Sequence, residues 1–125
     1  MTLEMLPFLL AFMLLVIGIY AIIAKRNVIK VIVGLLILDY AVNLVLILMG
    51  YRGSGDGAAA LAPIKTPGLS EQMMLERAVD PLPQALVLTS IVIGLSVAAL
   101  VVALAIRLYD KYGTFDTGLM RNLRG

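Results

Sequence analysis

Neither cysteine nor histidine occurs anywhere in the 125 residues. Without thiolates the chain cannot hold an iron–sulfur cluster, and without imidazole it lacks the commonest haem ligand. A zinc site of the usual Cys/His kind is excluded on the same ground. The chain is therefore expected to bring no cofactor and no metal, and to carry no electrons itself. Charge is scarce too: 14% of residues are Asp, Glu, Lys or Arg, against roughly 25% in an ordinary soluble domain. No nucleophile–base pair, glycine-rich phosphate loop or acid pair stands out, so catalysis by this chain alone is not expected.

What is abundant is apolar side chain, at 62% of residues and a mean hydropathy of +1.03. Three runs account for it: Leu6–Ala24, Val31–Met49 and Ala85–Ile106. At about 1.5 Å per helical residue, each comes close to the ~30 Å of a bilayer's hydrocarbon core. The expected fold is all-α and integral to a membrane, with three transmembrane helices. The first run reads as a span and not as a cleaved signal peptide, since no Lys or Arg precedes it and its only early charge is Glu4.

The placement of the basic residues sets an orientation. Lys25, Arg26 and Lys30 flank the first connection, and Arg107, Lys111, Arg121 and Arg124 follow the third run. The second connection holds only Arg52, Lys65 and Arg77, beside Asp56, Glu71, Glu76 and Asp80. Counting Lys and Arg alone, the positive-inside rule puts the N-terminus outside and the C-terminus inside, with the long connection external. This basic clustering is a topology signal and not a nucleic-acid patch; no nucleic-acid partner is expected.

One membrane domain over residues 1–125 follows. The first helix is expected at about 5–24, with Pro7 in its first turn and Tyr20 near its inner end. The turn Lys25-Arg26-Asn27 is so short that the second helix, at about 28–49, must run antiparallel beside it. An external loop covers 50–83. Within it Gly53-Ser-Gly-Asp-Gly57 is a turn-rich patch, and Ser70 is placed to cap a short helix over 71–79. The third helix is expected over about 84–108, its start set by Asp80 as N-cap with Pro81 and Pro83 behind it and Gln84 at the mouth. A cytoplasmic tail would fill 109–125.

Within these runs a single charged side chain remains, Asp39. A carboxylate near the bilayer midplane costs about 2.5–3.5 kcal/mol on insertion scales, and is tolerated when it faces protein or a wet cavity. Two readings stand: a step in an ion or proton pathway, or a structural acid that fixes packing by hydrogen bonding. Residues three and four apart share a helix face, so Asn43 lies on the same stripe, with Tyr40 on the next row. On the third helix Thr89 and Ser96 offer hydroxyls at two depths. Ser90, Gly94 and Ala98 fall four apart and form a small-residue ridge, read here as helix packing. One carboxylate and a few hydroxyls make no complete transmembrane path, so further charges must come from other chains.

Several segments resemble a known family: Lys25-Arg26-Asn27, Val33-Gly34-Leu35, Ala41-Val42-Asn43-Leu44, the run Asp80-Pro81-Leu82-Pro83-Gln84-Ala85-Leu86-Val87-Leu88-Thr89 leading into Ile91-Val92-Ile93, and the closing Leu123-Arg124-Gly125. Together they resemble the C subunit of Mrp-type multisubunit cation/proton antiporters, itself similar to the K subunit of respiratory complex I. The resemblance implies a small subunit wedged among larger antiporter-like subunits and other small ones, in lipid, in a prokaryotic cell membrane, with Na⁺ and H⁺ as the ions carried by the whole. Complex I K subunits carry a Glu directly after the Gly-Leu pair of the second helix; here Leu36 follows Gly34-Leu35, and Asp39 lies one turn on. They carry a second Glu in the third helix, where this chain has only Ile and Val. The departures favour the Mrp branch, which includes respiratory assemblies resembling membrane-bound hydrogenase and sulfane sulfur reductase. A structural assembly subunit is the alternative of another class.

Overall fold

The computed structural model describes residues 3–51 and 60–120. The Gly53–Gly57 patch and the closing Leu123-Arg124-Gly125 lie outside the described residues. A 3₁₀ turn over Leu3–Met5 leads into α1, Leu6–Ala24, whose Pro7 sits in the first turn. There its missing N–H has no intrahelical partner to lose. Lys25 is extended, and the chain reverses at once into α2, Val28–Met49. Asn27 makes that reversal possible: its side-chain oxygen accepts from the Ile29 N–H at 2.9 Å and the Lys30 N–H at 3.4 Å. It thereby caps two amide groups that an unassisted helix start would leave open.

The connection after α2 contains one short helix, α3, Glu71–Arg77. Ser70 caps it by accepting from the Met73 N–H at 3.3 Å. The helix stops two residues short of the expected 79 because its exit is extended backbone. The Leu61 N–H donates to the Arg77 carbonyl at 2.9 Å, and the Val79 N–H donates to the Leu61 carbonyl at 3.1 Å. The next amide, of Asp80, donates to the Gly50 carbonyl at 3.1 Å, tying the end of the connection to the end of α2.

The last helix, α4, spans Pro81–Tyr112. It begins three residues ahead of the expected 84, where the Asp80 carboxylate accepts from the Leu82 N–H at 3.0 Å. Pro81 and Pro83 both fit inside a first turn that needs no N–H from them. It also outruns the expected 108, because Arg107, Leu108 and Lys111 are good helix formers and membrane exit does not itself end a helix. Gly113 ends it, at φ +68°, with its N–H on the Tyr109 carbonyl at 2.6 Å. The left-handed turn needed there is cheap only for glycine. At 32 residues the helix is about 48 Å long, more than a hydrocarbon core requires.

The central helix is α2, with α1 packed on one side and α4 on the other. Three helices are thus long and apolar enough to cross a membrane, and no strand is formed among the described residues. The two glycines of the α1–α2 seam face each other's helices: a Cβ on Gly18 would lie 2.9 Å from the Leu38 backbone nitrogen, and one on Gly34 would lie 2.7 Å from the Ala21 Cβ. Such close backbone approach is what glycine permits in membrane helix pairs. Very little else is buried. Phe12 of α1 is 62% exposed, Val33 of α2 48% and Leu95 of α4 72%, so all three long helices turn apolar side chains outward. A soluble monomer does not keep such a surface; lipid or other membrane chains cover it.

Past α4 the chain turns back onto the α1–α2 turn. The Val28 N–H donates to the Phe115 carbonyl at 2.9 Å, while the Thr117 N–H and hydroxyl both donate to the Arg26 carbonyl at 2.8 Å. Phe115 stacks on Tyr109 with ring centroids 4.5 Å apart, and Met120 is buried. Residues 113–120 of the expected tail are thus a clasp on the end of the bundle that carries Lys25, Arg26 and Lys30.

Candidate functional site around Asp39

Asp39 lies in the middle of α2 on the side that meets α4, and its carboxylate rests against Gly94. A Cβ on Gly94 would stand 2.7 Å from Oδ2, so no other residue fits without displacing the acid. Eleven residues further along α2, Gly50 meets Pro83 in the same way, its absent Cβ 2.7 Å from the proline Cγ. Since eleven residues also separate 83 from 94, the two helices run antiparallel in constant register. That register puts Asn43 level with Ser90, and Leu46 level with Val87, which is buried.

A partly open cleft of about 130 Å³ adjoins the carboxylate, lined by Leu35, Leu36, Asp39, Ser90, Ile93, Gly94, Val97 and Ala98. At about 30 Å³ per molecule it has room for a few waters. Its rim reaches the outer surface of the helix pair, where Ile93 is 58% exposed and Val97 43%. Asn43, only 6% exposed, has its Oδ1 buried with no hydrogen-bond partner among the described residues. An unpartnered buried acceptor carries a penalty of about 1–3 kcal/mol unless a water or a neighbouring chain satisfies it.

The polar residues singled out from the sequence divide into those the fold gathers and those it spreads. Asp39 and Asn43 lie one turn apart on α2, facing inward. Tyr40 points away and is 65% exposed. The Thr89 hydroxyl donates to the Ala85 carbonyl at 3.3 Å and the Ser96 hydroxyl to the Val92 carbonyl at 3.0 Å. Both are exposed and neither lines the cleft. Ser90, Gly94 and Ala98 do line it: the packing ridge and the wall of the Asp39 recess are one surface. Asp80, Pro81 and Pro83 start α4 at the far end, and Gln84 is half-buried there. The ridge at four-residue spacing was the available signal; its facing Asp39 depends on helix register, which sequence spacing within one helix does not contain.

A larger hollow of about 580 Å³ lies in the α2–α4 connection beside α3, bordered by Lys65, Glu71, Met74 and Asp80 among others. Its one ion pair, Lys65–Glu71 at 3.5 Å, is largely exposed and contributes little. No cluster of three or more acidic side chains able to hold a metal exists among the described residues.

Three antiparallel apolar helices with a single acid lodged between two of them define a small polytopic membrane protein built around a buried carboxylate. The chain belongs to the NADH-ubiquinone/plastoquinone oxidoreductase chain 4L family, whose model matches residues 6–125. It is 35% identical to the C subunit of the Na⁺/H⁺ antiporter of Alkalihalophilus pseudofirmus over 118 residues, which cover 94% of this chain and 95% of that one. To the C1 subunit of the Na⁺/H⁺ antiporter of Staphylococcus epidermidis it is 38% identical over 105 residues, 84% of this chain and 81% of the other. Among solved structures it is similar to a chain of the membrane-bound sulfane sulfur reductase, an archaeal respiratory membrane complex. That match has a TM-score of 0.75 and 43% identity, and covers 88% of this chain and 92% of the other.

Proposed function

We propose that the chain is a small membrane subunit of an Mrp-type cation/proton translocating module, in which Asp39 exchanges a proton with water held between α2 and α4. Membership of the family over nearly the whole chain supports the subunit reading, and the likeness reaches both antiporter C subunits and a respiratory complex. The observation that carries the role of Asp39 is its seat: an intramembrane carboxylate against a glycine, beside a cleft with room for water and an opening on the bundle's outer face. A carboxylate so placed can pass a proton sideways, to a group on a neighbouring chain. Further along the seam Val87 is buried and Pro83 packs against Gly50, and one carboxylate makes no complete route, so this chain alone provides one step and not a path.

The reading includes lipid and larger antiporter-like subunits as partners, a prokaryotic cell membrane as location, Na⁺ and H⁺ as the ions of the whole complex, no cofactor in this chain, and no catalysis by it alone. Its orientation is N-out and C-in, from the Lys and Arg distribution. In the cysteine-free chain a cysteine at exposed Thr66 should react with an impermeant maleimide added outside; reaction only from the cytoplasmic side would reverse the orientation. A second setting, a respiratory complex with the same module, is favoured by the 43% identity to the sulfane sulfur reductase chain. Iron–sulfur or nickel-binding subunits copurifying with the chain would select it over a stand-alone antiporter.

The test of the site is Asp39→Asn, which keeps size and hydrogen bonding but cannot titrate. The complex should assemble normally, while sodium-dependent proton flux in vesicles falls by about 10²-fold, the range in which loss of a positioned acid–base group falls. Asp39→Glu should retain part of the flux, since a longer acid still reaches the cleft. A purely structural Asp39 gives the reverse pattern: full flux in Asp39→Asn, and weakened assembly in Asp39→Leu from loss of a hydrogen bond worth about 0.6–2 kcal/mol.

A further inference from the structure

We propose that Gly94 is a positioning residue for Asp39: the side chain it lacks is the seat of the carboxylate. A Cβ at this position would lie 2.7 Å from Oδ2, 3.3 Å from Cγ and 3.4 Å from Oδ1, so the acid occupies the volume that alanine would fill. The inference deepens the relay reading and rests on it where ion flux is concerned; the seat itself is a matter of geometry.

What would yield to an added methyl decides the role. At Gly18 the added carbon would meet the Leu38 nitrogen at 2.9 Å and its Cα at 3.0 Å. Backbone cannot step aside, and the whole helix would have to move. At Gly94 the collision is with the free end of a side chain that has two torsions. Rotating Asp39 to another staggered rotamer clears it, at the expense of taking the carboxylate out of its recess. Alanine at 94 therefore moves the acid while leaving α2 and α4 docked. Ser90 and Ala98, one turn to either side, line the same cleft, so a carboxylate in this seat lies beside space for water.

The experiment uses the whole complex, reconstituted into vesicles, with Gly94→Ala, Asp39→Asn and the double variant. Two quantities are read: sodium-dependent proton flux per assembled complex, and modification of Asp39 by dicyclohexylcarbodiimide, a carboxyl reagent that partitions into apolar surroundings, followed by peptide mass spectrometry. Gly94→Ala should assemble, lose flux by up to about 100-fold as a misplaced reacting group does, and change the extent of Asp39 modification several-fold. In the Asp39→Asn background it should lower flux no further. Wild-type modification of Asp39 in Gly94→Ala overturns the proposal, whether or not flux falls. If Asp39→Asn loses flux while Gly94→Ala matches wild type in both readings, the relay stands and the positioning role fails. If both variants keep full flux but modification changes, the relay fails and the positioning role stands. Should Gly94→Ala fail to assemble, Gly94→Ala/Asp39→Ala decides: recovered assembly supports the collision with the carboxylate, and continued failure overturns it.

Discussion

The two seams of α2 are built from the same device and put it to different use. Against α1, glycines let backbone meet backbone: Gly18 lies on Leu38, and Gly34 lies on Ala21 with the Gly18 carbonyl 3.2 Å from where its Cβ would be. Against α4, Gly94 receives a carboxylate and a cleft of about 130 Å³ remains beside it. In a bilayer, where hydrophobic burial drives no association between helices, close packing is the main source of α1–α2 adhesion. A seam packed to that degree has no room for water. The α2–α4 seam gives up part of that adhesion and keeps space for a polar group. It then needs other anchors: the Gly50–Pro83 contact, and the Asp80 amide on the Gly50 carbonyl at 3.1 Å.

The largest effect is expected where backbone would have to move. Gly18→Val adds a branched side chain where even a Cβ comes within 2.9 Å of the Leu38 nitrogen, and overpacking of this kind costs about 1–3 kcal/mol or more. Little of the complex containing this chain should be recovered from Gly18→Val membranes on native gels. Gly18→Ala should reduce recovery less, yet clearly more than Gly94→Ala does. Equal tolerance of alanine at 18 and 94 would break the distinction between a dry joint and a seat for a side chain.

The helices and their caps were largely legible in the sequence, and the face of each helix was not. Apolar length located three spans because hydrocarbon thickness sets a minimum run, and Ser70 and Asp80 marked helix starts because short polar side chains serve the open amides there; Asn27, legible only as part of a short turn, caps α2 in the same way. Ends were harder. At 77 a long-range pairing with Leu61 ended α3, and at 108 nothing ended α4 until Gly113. The acid itself stood out through its cost in an apolar run. The residues around it were harder to assign, because Thr89 and Ser90 are adjacent in sequence but point about 100° apart on a helix. Only the register with α2 shows that Ser90 lines the cleft. Hydroxyls that find no partner across a helix seam return to their own helix, as those of Thr89 and Ser96 do. The clasp of residues 113–120 left no signal in composition, since the groups it grips on the α1–α2 turn are the backbone carbonyl of Arg26 and amide of Val28, which any residues would offer.

The smallest effect tests the anchors of the looser seam. The Asp80 carboxylate accepts from the Leu82 N–H at 3.0 Å and starts α4, while its own amide holds the Gly50 carbonyl. Asp80→Ala removes the first interaction and leaves the second, and loss of a helix N-cap costs about 1 kcal/mol. Asp80→Asn keeps an accepting oxygen and should stay near wild type. Hydrogen exchange at the Leu82 amide should therefore speed up by roughly fivefold in Asp80→Ala, the factor that 1 kcal/mol gives if exchange follows local opening. The amides that Asn27 caps at the start of α2 should be unaffected. Flux should change little, because Asp80 lies fourteen residues from Gly94 along α4, about 21 Å of helix. A large loss of flux in Asp80→Ala, with exchange at Leu82 unchanged, would mean that the carboxylate acts on ions directly and that the Gly50–Pro83 end of the seam is more than an anchor.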